Sequence, residues 1–287
     1  MTKLKYFIQF LGISFLFLTY KLLGLKLSSV LSGKILTILG PLFRSNTTSY
    51  SNLSKAFPKK TNDEKKKIIK SMWNNYGKIL AEYMYIKKFR TSRSFSEKII
   101  VENQKELELI KKNSKPVIFV SGHFNNFELM AMHIEKSGID LAAVYRPLNN
   151  KFLNPIMEKI RKRYICNKQI KKGVSGTKTL LKNFKNGTSI ALMIDQRVSE
   201  GIYSNFFNQK ALTTTIPAQF VKKFDAQVVP IYIERVKNNE FKLQIYKAIQ
   251  FAENETFESI TLSLNKILEE MIIKNPEQWI WTHNRWK

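Results

Sequence analysis

A histidine and a glutamate follow a short apolar run near the middle of the chain. The run at 117–120 is β-branched and aromatic, and His123 and Glu128 come after it, five positions apart. On one regular helix, five steps of about 100° would leave the two side chains about 140° apart. The pair suits general-base chemistry only if His123 precedes a helix and Glu128 lies in its first turns, with Gly122 and Asn125 forming the turn. The alternative is a capped helix start with a structural histidine.

Strand patterns alternate with helical patterns through most of the chain. The sequence predicts strands at 117–120, 141–145, 190–194, 228–233 and 241–249, and helices at 104–112, 127–136, 149–164 and 257–274. A further helix begins at Thr61, which has capping-box spacing to Glu64. This alternation predicts an α/β fold with a mixed central sheet flanked by helices. Polar clusters at His123, Arg146 and Asp195 each follow a strand, at the sheet edge where open α/β folds bind ligands.

The N-terminal segment 1–43 is apolar and contains two hydrophobic runs. The first run, 6–20, is flanked by lysines, and the second, 30–43, contains Lys34 and ends after Gly40-Pro41. About 20 apolar residues are needed to span a bilayer, and the first run reaches that length only by including Lys21. We predict that 1–43 is a membrane anchor, either one span or a partly inserted hairpin, and that 44–287 forms a single α/β domain. A cleaved signal peptide and a buried core helix are the alternatives.

Charge and cysteine content limit the classes of function. The 287 residues have a formal net charge of +26, which favours anionic partners such as phospholipids, acidic carrier proteins or nucleic acid. One cysteine excludes an internal disulfide, and with three histidines a structural zinc site is not expected. We predict no metal site. Nucleic-acid binding would explain the charge but not the apolar N-terminus, and the chain has no helix-turn-helix, RRM or zinc motif.

Four sequence blocks resemble one enzyme family. His123-Phe124-Asn125-Asn126-Phe127-Glu128 resembles the His-x-Gly-Asn-Trp-Glu block of the late acyltransferases of lipid A biosynthesis, the lauroyl and myristoyl transferases. Three later blocks match in order: Tyr145-Arg146-Pro147, Asp195-Gln196 with Phe206-Phe207 and Ala211-Leu212-Thr213, and the terminal 281–287. Asn125 and Asn208 stand where the family usually has glycine, and asparagine tolerates the left-handed backbone that glycine supplies.

The resemblance implies a membrane-bound O-acyltransferase of the glycerolphosphate-acyltransferase-like fold. It implies that His123 is the general base, assisted by Glu128, which would hold its tautomer; Glu128 as the direct base stays open. Arg146 would stabilise the oxyanion or bind a substrate phosphate. Asn126, Asp195 and Gln196 would bind substrate, with Asp195 orienting Arg146 or a substrate hydroxyl, or capping a loop.

The resemblance also implies the partners and the location. No cofactor is expected beyond an acyl-carrier-protein or CoA thioester as co-substrate. The acceptor would be a phosphorylated glycolipid, and the enzyme would sit at the bacterial inner membrane with its catalytic domain on the cytoplasmic side. The tract 151–185, with eleven Lys or Arg and one acid, would bind acyl carrier protein or lipid phosphates, or is a solvated surface. Alternatives are a glycerol-phosphate or other glycolipid acyltransferase, and a non-catalytic basic membrane-surface protein.

Overall fold

The structure is a computed structural model that describes residues 2–287; Met1 lies outside the described residues. Its α-helices are α1 (Thr2–Phe43), α2 (Asn46–Ala56), α3 (Asn62–Glu82), α4 (Ile86–Thr91), α5 (Arg93–Ser96), α6 (Gln104–Asn113), α7 (Glu128–Lys136), α8 (Asn154–Tyr164), α9 (Val174–Lys185), α10 (Ile216–Phe224) and α11 (Phe257–Lys274). Its strands are β1 (Ile99–Glu102), β2 (Ile118–Ser121), β3 (Leu141–Tyr145), β4 (Lys168–Lys171), β5 (Ser189–Met193), β6 (Ile202–Phe206), β7 (Gln209–Thr213), β8 (Val228–Lys237) and β9 (Glu240–Ile245).

Seven strands form one mixed sheet, which confirms the predicted fold class. The strand order is β1-β9-β8-β2-β5-β3-β4, and every neighbouring pair is parallel except β8 with β9. Strands β2, β5 and β3 are adjacent, so the three polar clusters that follow them meet at one sheet edge. The remaining strands, β6 and β7, pair as a separate antiparallel hairpin. Its turn has Phe207 and Asn208 at φ of 51° and 57°, so Asn208 has the left-handed backbone expected of it.

The sequence signals for the core elements match the structure closely. All four side chains of β2 are buried, as expected for a strand covered on both faces. The capping box predicted at Thr61 is present: the Glu64 backbone N–H donates to Thr61 Oγ1, and Glu64 Oε2 accepts from the Thr61 backbone N–H at 2.7 Å. Helix α8 begins later than predicted, at Asn154, because the Asn150 side chain caps a turn over residues 150–153.

Helix α1 lies along the surface of the α/β domain and is broken at Gly24. Gly24 has φ 74° and ψ 166°, a conformation that only glycine adopts readily. Its second half packs on α3 so closely that a Cβ at Gly77 would overlap the backbone of Ser32. Its first half contacts the domain through the Tyr20 carbonyl, which accepts from Tyr85 Oη, and the Tyr6 carbonyl, which accepts from Asn150 Nδ2.

The outward face of α1 is strongly apolar. The segment Lys3–Phe43 has a mean hydropathy of 1.6 over its most apolar window, of which 11% is buried, and it is long enough to cross a membrane. Leu22, Leu42 and Phe43 are 81%, 79% and 75% exposed. The alternative of a buried core helix is therefore wrong. The exposed apolar face fits a membrane-associated protein, while the choice between a span and a partly inserted segment, and the domain boundary at 43/44, stay predictions.

Candidate active site

His123 lies in the loop between β2 and α7, where the sequence placed it. The backbone turns at Asn125, which has φ 41°, and α7 begins at Glu128, so the histidine precedes the helix and the glutamate is in its first turn. The Asn125 backbone N–H donates to the Gln278 carbonyl at 2.9 Å, which ties the loop to the C-terminal segment. Asn125 thus does what the glycine of the family motif would do.

Asp195, at the end of β5, is the direct partner of His123. His123 Nδ1 lies 2.8 Å from Asp195 Oδ1, and the His123 backbone N–H donates to Asp195 Oδ2 at 2.8 Å. Trp279 Nε1 donates to the same Oδ2 at 2.8 Å. The aspartate side chain is fully buried and the histidine side chain is 23% exposed. A buried carboxylate that accepts from Nδ1–H leaves Nε2 of the imidazole free to accept a proton.

This pair shifts both pKa values. Burial lowers the pKa of His123, but the charge of Asp195 and its hydrogen bond outweigh burial and raise that pKa above its usual value. Burial raises the pKa of Asp195, but the charge and hydrogen bonds of His123 lower it to about 2. Asp195 is therefore ionised at neutral pH and stabilises the protonated imidazole.

Glu128 does not hold His123, contrary to expectation. Its Oε1 accepts from Arg161 Nε at 2.8 Å and Arg161 Nη2 at 2.6 Å, and the Tyr83 hydroxyl lies 3.4 Å away. The physical reason is that a glutamate on the first turn of α7 faces α8, where a guanidinium offers two donors, while Asp195 already occupies Nδ1. The negative charge of Glu128 still acts on His123, since it contributes to raising the histidine pKa.

Asn126 is buried and contacts other residues of the protein, whereas a residue that binds substrate must be accessible from the cavity. Its Nδ2 donates to Glu82 Oε2 at 3.1 Å, and Glu82 is also paired with Arg235. Arg235 Nη2 in turn donates to Asn125 Oδ1 at 2.9 Å. Because Asn126 and Glu82 are fully buried, this network connects the motif loop to α3 and β8, and the position of Asn126 does not support substrate binding.

Gln196 and Arg146 lie at the pocket, with different surroundings. Gln196 is half-buried and its amide nitrogen lies 3.4 Å from His123 Nδ1. Arg146 is exposed at the mouth of the pocket and is not joined to Asp195, so the expected orientation of Arg146 by Asp195 is wrong. An exposed guanidinium at a pocket mouth suits a substrate phosphate better than a developing oxyanion.

One cavity of about 410 Å³ joins these groups. Its polar wall contains His123, Glu128, Arg161 and Gln196, and its apolar wall includes Ala131, Ala143, Val144, Ala191, Leu192, Ile216 and Ile280. Besides the half-buried Arg161, three exposed cations lie in its lining: Arg44, Arg146 and Lys172. Arg44 follows directly on the exposed C-terminal end of α1, so the cavity opens next to the apolar helix.

Several residues of the site were not singled out by their sequence signals. Arg161 belongs to the basic tract 151–185, and neither Tyr83 nor Trp279 was predicted to be a site residue. Each becomes part of the site through a contact across the fold. A signal for Arg161 existed, since a buried glutamate needs a cationic partner.

The other two histidines have structural surroundings. His283 Nε2 accepts from the Arg197 backbone N–H at 3.0 Å, and burial lowers the pKa of His283 to about 4. His133 Nε2 lies 2.8 Å from Gln104 Oε1, and burial lowers the pKa of His133 to about 4 as well.

Arg285 is fully buried, and its guanidinium donates to Thr213 Oγ1 and the Leu212 carbonyl. Phe206 and Phe207 pack with Trp286 and do not line the cavity, so they are core residues. Within residues 2–287, no cluster of three His, Cys, Asp or Glu side chains suitable for a metal ion is present.

The chain is similar to known proteins over its whole length. The family model described as bacterial lipid A biosynthesis acyltransferase matches residues 1–287. The lipid A biosynthesis lauroyltransferase of Escherichia coli (strain K12) is 23% identical over 291 residues, which covers 99% of this chain and 92% of that protein. The lipid A biosynthesis acyltransferase 2 of Shigella flexneri is 22% identical over 239 residues, 80% of this chain and 74% of that protein.

A solved structure is also similar. The crystal structure of the 1-acyl-sn-glycerophosphate acyltransferase PlsC from Thermotoga maritima gives a TM-score of 0.44 at 14% sequence identity, with 89% of this chain and 98% of that chain covered. The four motif blocks, which all contribute residues to one cavity, and the family match along the entire sequence lead to one assignment. The chain belongs to the bacterial lipid A biosynthesis acyltransferase family.

Proposed function

We propose that the protein transfers a fatty acyl chain from an acyl thioester, supplied by acyl carrier protein, to a hydroxyl of a lipid A precursor. The observation that carries this proposal is the His123–Asp195 pair in a half-apolar cavity, on the motif that the chain shares with its family. The relatives from Escherichia coli and Shigella flexneri are described as acyltransferases of lipid A biosynthesis, which supports a lipid A precursor as the proposed acceptor. No metal or redox cofactor is part of the proposal.

His123 acts as the general base. An alcohol is too weak an acid to attack a thioester unaided, so its proton must leave as the carbon–oxygen bond forms. Nε2 of His123 takes this proton, while Asp195 holds the proton on Nδ1 and stabilises the imidazolium. Glu128 adds a second negative charge that acts on the imidazolium. The thiolate of the carrier then leaves and receives the proton from His123.

Arg161 stabilises the tetrahedral oxyanion. It lines the cavity, is fixed by Glu128, and its positive charge is close enough to act on the pKa of His123. Donors of this kind contribute about 3–4 kcal/mol to the transition state. Arg146, Arg44 and Lys172 surround the cavity mouth and bind the phosphates of the acceptor.

The apolar wall of the cavity accepts the acyl chain, and the exposed face of α1 places the cavity mouth at a membrane. Because Arg44 directly follows α1, a lipid acceptor can reach His123 without leaving the bilayer surface. We propose the bacterial inner membrane, with the α/β domain on the cytoplasmic side where acyl carrier protein is available. The basic tract 151–185 is the proposed docking region for that acidic carrier.

The experiment compares purified full-length protein and two isosteric variants. Wild type, His123→Gln and the control His133→Gln receive labelled acyl-carrier-protein thioester and a Kdo-bearing lipid A precursor. Acylated lipid should form with wild type and His133→Gln, and at a rate lower by about 10²- to 10⁴-fold with His123→Gln. Equal rates for His123→Gln and wild type would refute the base assignment. If product formed only with a glycerol-phosphate acceptor, the acceptor would be a glycerol phosphate and not a lipid A precursor.

A further inference from the structure

A second cavity of about 590 Å³ lies between α1 and α3, apart from the active site. Its walls come from Lys34, Thr37 and Ile38 of α1, from α3 between Lys70 and Lys78, and from Arg235 and Glu277–Gln278. None of these residues lines the cavity that contains His123. The acyl-transfer proposal therefore leaves this cavity without a role.

The cavity has an excess of positive charge. Lys34, Lys70 and Lys78 line it, and within residues 2–287 none of these ammonium groups makes a salt bridge. Arg235 is a fourth cation, but its charge is matched by the buried carboxylate of Glu82. Glu277 is the one acidic residue of the lining. Three unmatched cations around one cavity favour an anion there, since each lysine offers donors and no acceptor.

The environment of Lys78 supports the same conclusion. Burial lowers the pKa of Lys78, and the positive charge of Arg235 lowers it further, against the opposing charge of Glu82. An anion bound beside Lys78 would offset both unfavourable effects. Ser71 and Asn74 in the same wall add neutral donors for anionic oxygens.

An apolar cavity adjoins the cationic one. It has a volume of about 540 Å³ and shares Thr37 and Lys70 with the first. Pro41, Ile69 and Trp73 give it a mostly apolar surface, although Lys66 and four polar residues also line it. Ile38, which lines the cationic cavity, is 73% exposed and belongs to the apolar outer face of α1. A cationic cavity followed by an apolar one, along a helix with an exposed apolar face, matches the two halves of a lipid.

We propose that the groove between α1 and α3 binds an anionic membrane phospholipid. The phosphate lies among Lys34, Lys70 and Lys78, and an acyl chain extends along α1 toward Trp73. This lipid is neither the acyl donor nor the acceptor, and the inference is independent of the proposed acyl transfer. Its consequence is orientation: a lipid held here fixes α1 at the membrane surface, with Arg44 and the active-site mouth facing the bilayer.

The test measures binding of soluble short-chain lipids to the full-length protein in neutral detergent by titration calorimetry. The probes are dihexanoylphosphatidylglycerol, dihexanoylphosphatidylcholine and inorganic phosphate. The groove variant Lys34→Gln/Lys70→Gln removes two exposed cations. The control Lys67→Gln/Lys112→Gln removes two exposed lysines outside the groove, so the net charge of the two variants is equal. Lys34→Arg/Lys70→Arg retains the charge, and Arg146→Gln removes a cation of the active-site mouth.

Wild type should bind one phosphatidylglycerol, with phosphatidylcholine and phosphate at least tenfold weaker. The groove variant should lose at least tenfold in affinity for phosphatidylglycerol, while the other three variants stay within threefold of wild type. The site would be refuted if the groove variant kept its affinity for phosphatidylglycerol, or if the charge-matched control lost as much affinity. It would also be refuted if only Arg146→Gln lost affinity. If inorganic phosphate bound as tightly as phosphatidylglycerol, the ligand of the groove would be a free anion and not a lipid. Thermal melts of all variants report folding separately, and acyl transfer to a detergent-solubilised acceptor should be unchanged in the groove variant.

Discussion

Substituting Asp195 by asparagine should move the imidazole proton of neutral His123 from Nδ1 to Nε2. Oδ2 of Asp195 accepts from two fixed donors, the His123 backbone N–H and Trp279 Nε1, and Oδ1 faces His123 Nδ1. An asparagine keeps those two donors satisfied only with its carbonyl oxygen at the Oδ2 position. Its NH₂ group then faces Nδ1, which must become an acceptor, and the imidazole proton moves to Nε2. The base is lost although the residue keeps its shape.

The size of the effect follows from two contributions. A hydrogen bond to a charged group is worth about 1.5–3 kcal/mol, and each 1.36 kcal/mol changes a rate about tenfold. Losing this bond in the transition state therefore lowers kcat by about 10- to 150-fold. The wrong tautomer lowers it further, and we expect a total decrease of about 10²- to 10⁴-fold.

The assay is the rate of acyl transfer as a function of pH. With wild type, kcat/KM should rise with pH as His123 loses its proton, and the raised pKa of His123 moves this rise to higher pH than for an ordinary histidine. In Asp195→Asn, burial is no longer opposed by the carboxylate, so the pKa of His123 falls and the rise of the residual activity moves to lower pH. A structural role alone would lower the rate without moving the profile.

The control is Asp140→Asn, which removes a carboxylate that is 54% exposed and pairs with Lys168 outside the cavity. Its rate and pH profile should match wild type. Activity of Asp195→Asn within threefold of wild type, with an unmoved profile, would refute the reasoning. If Glu128→Gln then removed activity and shifted the profile, orientation of the base would belong to Glu128.

Three further predictions follow from the same contacts. Arg161→Met leaves Glu128 as an unpaired charge with a side chain 11% exposed, and should lower the free energy of unfolding by about 3–5 kcal/mol in urea titrations; a loss below 1 kcal/mol would mean that Glu128 is solvated. Because the pKa of Asp195 is lowered to about 2, its charge stabilises the fold above the unfolded value near 4, and this stabilisation is lost as pH falls from about 4 to 2. The stability difference between wild type and Asp195→Asn should therefore shrink across that interval, and a difference that stays constant there would contradict the assignment. Ala131→Leu adds bulk to the apolar wall of the cavity, one helical turn from Glu128, and should shift the preferred thioester to shorter acyl chains. Competition assays between thioesters measure this preference, with Ala218→Gly as a control outside the cavity. An unchanged preference would mean that the acyl chain binds elsewhere.

The sequence was sufficient for local features whose causes are local. Short, largely apolar runs located β2, β3, β5 and β8, since a strand that is buried on both faces of a sheet is apolar at nearly every position. The capping box at Thr61 depends on residues three positions apart, and the structure has it. The left-handed backbone at Asn125 follows from a position that requires glycine or asparagine.

The tertiary structure decided which groups meet. His123 and Asp195 are 72 residues apart in sequence, and they meet because β2 and β5 are parallel neighbours whose ends lie at one sheet edge. Neighbouring positions in a motif made Glu128 look like the partner of His123, yet α7 turns Glu128 toward Arg161. Spacing within a motif constrains where the backbone goes, while the side-chain partner depends on what the adjacent strand or helix presents.

The sequence by itself determined the class of this protein: an α/β fold, an apolar N-terminal helix, a strongly basic surface and the motifs of one family. Each of these features depends on the types of residues present and on their order over short stretches of the chain. The tertiary structure alone decided that Asp195 contacts His123, that Glu128 is paired with Arg161, and that unmatched lysines of α1 and α3 share a cavity. Those facts depend on strand order and helix packing, which bring distant residues within hydrogen-bonding distance and leave no trace in the spacing along the chain.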